Sequence, residues 1–201
     1  MNMIMPELQT ERLIIRSFVT ADGAAVAHLK GAADQAAIDS SQRYVDQGIA
    51  LEQQLADIEQ PPIGDRAVLL KESQTVIGLV GLPLIIGPFE QLVPFDESET
   101  VVASAGNRLE IGLFYEFDPQ YRRQGYATEA ACALVKFAFE QLHLKRIVAT
   151  TGYDNHASMG VMRKLGLTLY RNAVREPEWF QVVGILENEY WTRSGEEKHL
   201  E

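Results

Sequence analysis

The chain has 201 residues, 46% of them hydrophobic and 23% charged, which is typical of a soluble globular protein rather than a disordered chain. Its formal net charge of −10 argues against a generic nucleic-acid binder, because neutralising phosphates requires a basic surface. An acidic surface would attract a cationic ligand such as an amine, although solubility alone also explains it. The four histidines show no ligand spacing, so no metal is predicted.

The single cysteine, Cys132, can form no internal disulfide, so nothing indicates an oxidising compartment. The first residues have neither the basic start nor the long apolar run of a secretory signal. The longest apolar runs are shorter than the roughly 20 residues that a membrane-spanning helix needs. We therefore expect a cytoplasmic protein that does not enter a membrane.

Hydrophobic patterning predicts a strand, then helices, then a hairpin in the first part of the chain. Pro61 and Pro62 end the helical part, since proline cannot continue a helix. The predicted segments are a strand at 11–18, helices at 22–33 and 34–59 (the latter one helix or two), and hairpin strands at 66–72 and 75–86.

Residues 87–106 show no period and contain two prolines, and a connection this long is either functional or simply mobile. The later predicted segments are a strand at 108–117, an amphipathic helix from about 127, a strand at 146–151, a helix at 155–166, and strands at 167–172 and 181–191. This order predicts an α/β domain with a central mixed, mostly antiparallel sheet of about six to seven strands flanked by helices. No repeat or linker divides it, so we expect one domain over 1–193 and a polar tail at 194–201.

The sequence YRRQGYATEA, residues 121–130, connects a predicted strand to a predicted helix through a glycine. Such a turn can bind an anion, because first-turn N–H groups have no intrahelical partners and carry the positive end of the helix dipole. Gly125 permits close approach of a ligand, while Arg122 and Arg123 add cationic donors. An ordinary structural turn is equally compatible with these residues. The glycine patterns of P-loops and dinucleotide folds are both missing from this stretch.

The spacing Arg122-x-x-Gly125-x-Ala127 resembles the acyl-CoA pyrophosphate loop of the GNAT N-acetyltransferase superfamily. Upstream, FYEFDPQY at 114–121 resembles the strand and Asp-Pro entry seen before this loop. Downstream, NHASMGVMRKLGL at 155–167 resembles the branch containing the ribosomal-protein N-terminal (alanine/serine) acetyltransferases, as does LQTERLIIRSF at 8–18. The resemblance extends over residues 8–191 in element order, but its specific motifs lie within 110–167.

The resemblance implies that acetyl-CoA is the cosubstrate and that a primary amine, on a protein N-terminus or a small molecule, is the acceptor. It implies pantetheine pairing with backbone at Tyr115 and Phe117, where strands 108–118 and 146–151 splay apart. Asn155 and Ser158 would contact the cofactor, and helix capping explains the same two residues. The backbone amides that would hold the pyrophosphate belong to Arg123, Gln124, Gly125, Tyr126, Ala127 and Thr128.

The superfamily often keeps a glutamate on the strand before the loop, which makes Glu110 the first candidate for a catalytic base. Glu116 lies six residues later, so alternation along one strand puts it on the same face unless a bulge intervenes. An ordinary surface carboxylate is the alternative for Glu110. Many members place a tyrosine, acting as general acid, where this chain has Met162, which cannot donate a proton.

Without that acid, Tyr115, Tyr153 or water could protonate the thiolate, or the thiolate could leave unaided. A non-catalytic acyl-CoA binder or sensor is the alternative function, and a protein that binds no CoA is a third. Cys132 is expected to pack in the core rather than act as a nucleophile. We expect a monomer or a homodimer, and the sequence does not distinguish between acceptors.

Overall fold

A computed structural model describes residues 4–89, 92–95, 106–172 and 176–189, and within them the chain alternates strands and helices as an α/β protein. In chain order the elements are β1 (Leu8–Gln9), β2 (Leu13–Arg16), α1 (Gly23–Leu29), α2 (Gln35–Asp57), β3 (Gly64–Leu70), β4 (Val76–Leu82), β5 (Leu84–Gly87), β6 (Leu92–Pro94), β7 (Arg108–Ile111), β8 (Phe114–Phe117), α3 (Tyr126–Glu140), β9 (Arg146–Thr151), α4 (His156–Lys164), β10 (Thr168–Asn172) and β11 (Val182–Glu187). The predicted α/β class with flanking helices is confirmed. No helix among the described residues combines the length and the apolar character needed to cross a membrane.

The chain divides into two compact units, Met1–Pro83 with Phe114–Leu134, and Leu84–Leu113 with Val135–Glu201. The single domain over 1–193 remains a prediction, and the predicted tail at 194–201 lies outside the described residues. Each unit has sheets of its own, so each is described separately.

The first unit contains an antiparallel five-stranded sheet in the order β1-β2-β3-β4-β8. Its core contains buried side chains of the sheet together with Val26 and Leu29 of α1 and Val45 of α2. Helix α2 is one continuous helix of 23 residues, and Asp34 caps its start by accepting a hydrogen bond from the N–H of Ala37 at 2.8 Å.

Helix α3 has the amphipathic pattern predicted from the sequence. Its buried residues recur at helical spacing and are Ala130, Ala131, Leu134, Phe137 and Ala138. Cys132, which was expected to pack among them, is exposed. It lies between Ala131 and the next buried position, and consecutive residues on a helix point in directions about 100° apart.

The second unit contains a four-stranded antiparallel sheet in the order β6-β10-β11-β9 and a two-stranded sheet of β5 and β7. Phe89, Val148, Phe180 and Val183 form one cluster of its core. Strand β6 was not predicted, because it lies in the aperiodic segment 87–106, and it pairs with β10 over three residues. Residues 90–91 and 96–105 of that segment lie outside the described residues.

Among the described residues the strands are hydrogen-bonded into sheets of five, four and two strands, where about six to seven strands in a central sheet were predicted. Two segments that were each predicted as one strand are interrupted. Pro83 separates β4 from β5. Gly112 and Leu113 separate β7 from β8, because Gly112 forms a parallel bridge with Val148 and the N–H of Leu113 donates to the same residue's carbonyl at 2.7 Å.

Candidate active site

The glycine turn at 122–125 leads from a short 3-10 turn at Pro119–Tyr121 into helix α3. Asp118 holds the start of the 3-10 turn, where its Oδ1 accepts a hydrogen bond from the N–H of Gln120 at 2.8 Å. Arg123 and Gly125 both have left-handed backbone angles, with φ of 60° and 86°. Turns with left-handed residues can direct successive N–H groups into one concavity, as in an anion-binding nest.

The first turn of α3 leaves its N–H groups open. The N–H of Glu129 donates to the carbonyl of Gly125 at 3.0 Å. Within the described part of the chain, the three preceding N–H groups, of Tyr126, Ala127 and Thr128, have no hydrogen-bond partner. Gly125 has no side chain with which to cap them. These donors and the positive end of the helix dipole together suit an anion.

Arg122 was predicted as a cationic donor to phosphate, and the structure shows a second role for it. Its Nε donates a hydrogen bond to the carbonyl of Phe117 at 2.9 Å, so the side chain folds back onto the end of β8. Strand β8 is an edge strand of its sheet, and one side of its backbone therefore faces no strand of that sheet. An edge is what backbone pairing with pantetheine at Tyr115 and Phe117 requires, and that pairing remains a prediction.

Glu110 and Glu116 were expected to share one face of one strand unless a bulge intervened, and an interruption of the strand does intervene. The interruption at Gly112 and Leu113 places Glu110 on β7 of the second unit and Glu116 on β8 of the first. Alternation along a single strand consequently does not relate the two carboxylates.

Glu110 forms an ion pair with Arg146 of β9. The Nε of Arg146 donates to Glu110 Oε2 at 3.0 Å and its Nη2 donates to Oε1, leaving the Glu110 side chain 9% exposed. This hydrogen bonding raises the pKa of Arg146, although burial opposes the change. A nearly buried, bidentate pair of this kind is not an ordinary surface carboxylate.

Glu116 lies close to a partly buried polar pair, Tyr44 and Asp65, in the first unit. The hydroxyl of Tyr44 donates a hydrogen bond to Asp65 Oδ2. Burial and the negative charge of Asp65 raise the pKa of Tyr44, and the charge of Glu116 contributes in the same direction. Burial likewise raises the pKa of Asp65, although the hydrogen bond from Tyr44 opposes this.

Helix α4 begins at a true side-chain cap. Asn155 Oδ1 accepts a hydrogen bond from the N–H of Ser158 at 3.0 Å, which confirms the predicted capping. Gly166 follows the helix with φ of 87°, as expected for a residue that ends a helix in the left-handed region. Cofactor contacts by Asn155 and Ser158 remain predictions.

Met162 is fully buried within the second unit. Its sulfur lies 3.1 Å from where a Cβ on Gly184 would stand, so it packs directly against the backbone of β11. Tyr153, one alternative acid, donates its hydroxyl proton to the carbonyl of Asn172 at 2.9 Å. Neither residue therefore presents a proton for a leaving thiolate in this arrangement.

Two residues next to the glycine turn were missed by the sequence analysis. Arg12, just before β2, and Glu129, in the first turn of α3, form an ion pair of 2.6 Å between Nη2 and Oε2. They are 117 residues apart, and the sole sequence signal was the acidic residue in a first helical turn, which is common in helices.

Comparisons with known proteins agree with the motifs. The family model described as an acetyltransferase (GNAT) domain matches residues 12–168. The N-acetyltransferase YnaD of Bacillus subtilis (strain 168), itself described as uncharacterized, is 28% identical over 165 residues, which cover 80% of this chain and 81% of YnaD.

Solved structures share the fold. An acetyltransferase from Agrobacterium tumefaciens str. C58 is 25% identical with a TM-score of 0.64, covering 91% of this chain and 95% of its own. RimL, a ribosomal alpha-N-protein acetyltransferase solved in complex with coenzyme A, is 15% identical with a TM-score of 0.59, covering 90% of this chain and 96% of its own. With a family model that matches more than three quarters of its length, the chain belongs to the GNAT acetyltransferase family.

Proposed function

We propose that the protein transfers the acetyl group of acetyl-CoA to a primary amine by direct attack of the amine in a ternary complex. The observation that carries the proposal is the turn at 122–125, whose left-handed residues lead into a helix with open N–H groups. A doubly charged pyrophosphate matches this concentration of donors. Membership of the GNAT family supports acetyl-CoA as the source of that pyrophosphate.

In this proposal the amides of residues 123–128 bind the pyrophosphate, and Arg123 supplies a side-chain donor. Arg122 fixes the start of the turn through the carbonyl of Phe117. Backbone groups of Tyr115 and Phe117 pair with pantetheine, while Asn155 and Ser158 contact the cofactor. We propose a protein N-terminus or a small-molecule amine as the acceptor.

The reaction forms a bond from the amine nitrogen to the thioester carbonyl carbon and breaks the bond from that carbon to sulfur. The attacking nitrogen loses a proton to a carboxylate or to water, and CoA leaves as a thiolate. A thiol pKa of about 8.5 makes the thiolate a tolerable leaving group near neutrality, so the reaction tolerates Met162 in place of an acid.

Two carboxylates are proposed as the base, and they differ in the contacts that their oxygens make. Glu110 must first release an oxygen from Arg146, whose guanidinium contacts both of its oxygens. No hydrogen bond occupies the Glu116 carboxylate within the described residues. The test is the pH dependence of kcat/KM for Glu110→Gln and for Glu116→Gln. The variant that loses the fall in kcat/KM at acidic pH identifies the residue that acts as the base.

The proposal is tested by following CoA release with acetyl-CoA and a panel of peptides and small amines. Acetyl-CoA at 100 times its Kd should raise the free energy of unfolding by about 2.7 kcal/mol, measured as a thermal shift. Gly125→Trp should abolish the gain, because its ring would fill the concavity. The absence of any thermal shift at millimolar acetyl-CoA would refute the proposal.

A non-catalytic acyl-CoA sensor is the second candidate, favoured by two observations. Met162 is fully buried and Tyr153 donates its hydroxyl proton to the main chain, so neither serves as an acid. Glu110 is held by Arg146. The sensor would be favoured over the enzyme if the protein binds CoA but releases none from acetyl-CoA with any amine in the panel. Glu110→Gln should then behave as the wild type does.

A further inference from the structure

Arg12 contacts the residues on either side of Gly125 in the chain. Its Nη1 donates to the carbonyl of Gln124 at 3.0 Å, and its guanidinium carbon lies 4.3 Å from the centre of the Tyr126 ring. Its Nη2 lies 3.3 Å from where a Cβ on Gly125 would stand. One side chain therefore touches the residues before, at and after the left-handed glycine.

Glu129 holds Arg12 in that position. Arg12 Nε donates to Glu129 Oε2 at 2.7 Å, and the backbone N–H of Arg12 donates to Oε1 at 2.9 Å. The hydroxyl of Thr10 donates to Oε1 at 2.5 Å. Every oxygen of this carboxylate is thus directed to the segment between β1 and β2, not to the open N–H groups of α3.

These hydrogen bonds stabilise the charged form of Glu129. Burial by itself raises the pKa of Glu129, but the hydrogen bonds from Thr10 and Arg12 outweigh it and lower the net pKa. The carboxylate is therefore ionised in the first turn of α3, where an anionic ligand competes for the same helix dipole. The guanidinium of Arg12 neutralises it locally.

We propose that Arg12 and Glu129 are positioning residues, which hold the turn at 122–125 in the conformation that binds the CoA pyrophosphate. They act through Gln124, Gly125 and Tyr126 and need no contact with the cofactor. The inference rests on the proposed function, because it assumes that the anion is the pyrophosphate of CoA.

A donor that lacks the pyrophosphate separates positioning from a general role in folding. S-acetylpantetheine has the reactive thioester but no phosphate, so it does not use the turn. In Arg12→Met we expect KM for acetyl-CoA and Kd for CoA to rise by about tenfold, equivalent to about 1.4 kcal/mol, with kcat unchanged. The kcat/KM for S-acetylpantetheine should stay at the wild-type value.

The matched control is Arg43→Met, which removes the same charge from an exposed position on α2. It should leave Kd for CoA unchanged, which shows that net charge is not the cause. An Arg12→Lys variant keeps the charge but lacks the planar group with several donors, so it should recover only part of the lost affinity.

Glu129→Gln provides the second, independent variant. If only the charge near the pyrophosphate mattered, removing the negative charge of Glu129 would lower Kd for CoA. If Glu129 positions the turn, its removal raises Kd for CoA. We expect a rise, and the double variant Arg12→Met/Glu129→Gln should be no worse than the poorer single variant. Glu140→Gln, later on the same helix and paired with Lys136 at 4.0 Å, is its control.

Equal losses with acetyl-CoA and S-acetylpantetheine would overturn the inference, as would wild-type affinity in Arg12→Met or tighter binding in Glu129→Gln. These outcomes differ from failure of the proposed function, in which the wild-type protein itself binds no CoA. Near-UV circular dichroism of each variant confirms that its tertiary structure is retained.

Discussion

Helices α3 and α4 both follow a turn, but their N-termini differ. Helix α4 is capped by Asn155, whose side chain accepts a hydrogen bond from the N–H of Ser158. Helix α3 follows Gly125, which has no side chain, and its first-turn N–H groups have no partner within the described residues. A capped end has already satisfied part of its hydrogen-bonding capacity, whereas an open end is stabilised by an anion. This difference is the reason why we propose the pyrophosphate site at the N-terminus of α3 and not at that of α4.

The largest expected effect comes from replacing the glycine that precedes helix α3. Gly125→Ala should raise Kd for CoA at least about tenfold, equivalent to about 1.4 kcal/mol, because φ of 86° disfavours alanine and the turn shifts. Gly31, with φ of 65° and open space around it, is the matched position. Gly31→Ala should cost similar stability by thermal denaturation but leave CoA binding intact. Equal Kd values for CoA in Gly125→Ala and Gly31→Ala would contradict the assignment of the anion site to the N-terminus of α3.

A tyrosine in α4 tests whether the helix can be given the missing acid. Met162→Tyr should lower the free energy of unfolding by about 1–3 kcal/mol without raising kcat, because the site is packed against Gly184. Met162→Leu, of similar volume, should cost less than about 1.5 kcal/mol. Chemical denaturation and steady-state kinetics provide both readouts, and a higher kcat in the tyrosine variant would disprove the expectation.

Removing the cap of α4 should have a moderate effect. Asn155→Ala should lower the free energy of unfolding by about 1 kcal/mol, the usual cost of a lost N-cap. If Asn155 also contacts the cofactor as proposed, Kd for CoA rises as well, by less than in Gly125→Ala. Isothermal titration with CoA decides this, because an unchanged Kd means that capping is the residue's whole role.

The smallest expected effect is a pH dependence from the pair beside α3. The folded-state pKa of Glu129 is lowered, so its contribution to stability is present above the unfolded value of about 4.5 and is lost as pH falls through the folded value. Thermal stability measured from pH 6 downward should therefore decrease less steeply in Glu129→Gln than in the wild type. If thermal stability falls with pH equally in the wild type and in Glu129→Gln, the Arg12–Glu129 ion pair contributes nothing to this pH dependence.

The sequence predicted features that depend on neighbouring residues. The cap at Asn155 and the buried face of α3 follow from local spacing, and both are observed. Features that join distant segments were missed. The pairs Arg12–Glu129 and Arg146–Glu110 depend on the three-dimensional fold, which no local pattern encodes.

The break in the strand at 108–117 was also missed, since Gly112 and Leu113 continue an apolar run that fits a strand. Pairing with Val148 interrupts it, and this partner comes from a segment more than 30 residues later in the chain. The consequence for function is direct, because the break separates the two glutamates that a continuous strand would have related.

The exposed Cys132 has a practical consequence for the experiments above. It is the single thiol of the chain, so a thiol reagent that reports released CoA also reacts with one group per protein molecule. Enzyme-only blanks, or a Cys132→Ser variant, remove this background. The same thiol accepts one fluorophore on α3 without mutagenesis, and its emission would follow cofactor binding at the N-terminus of that helix.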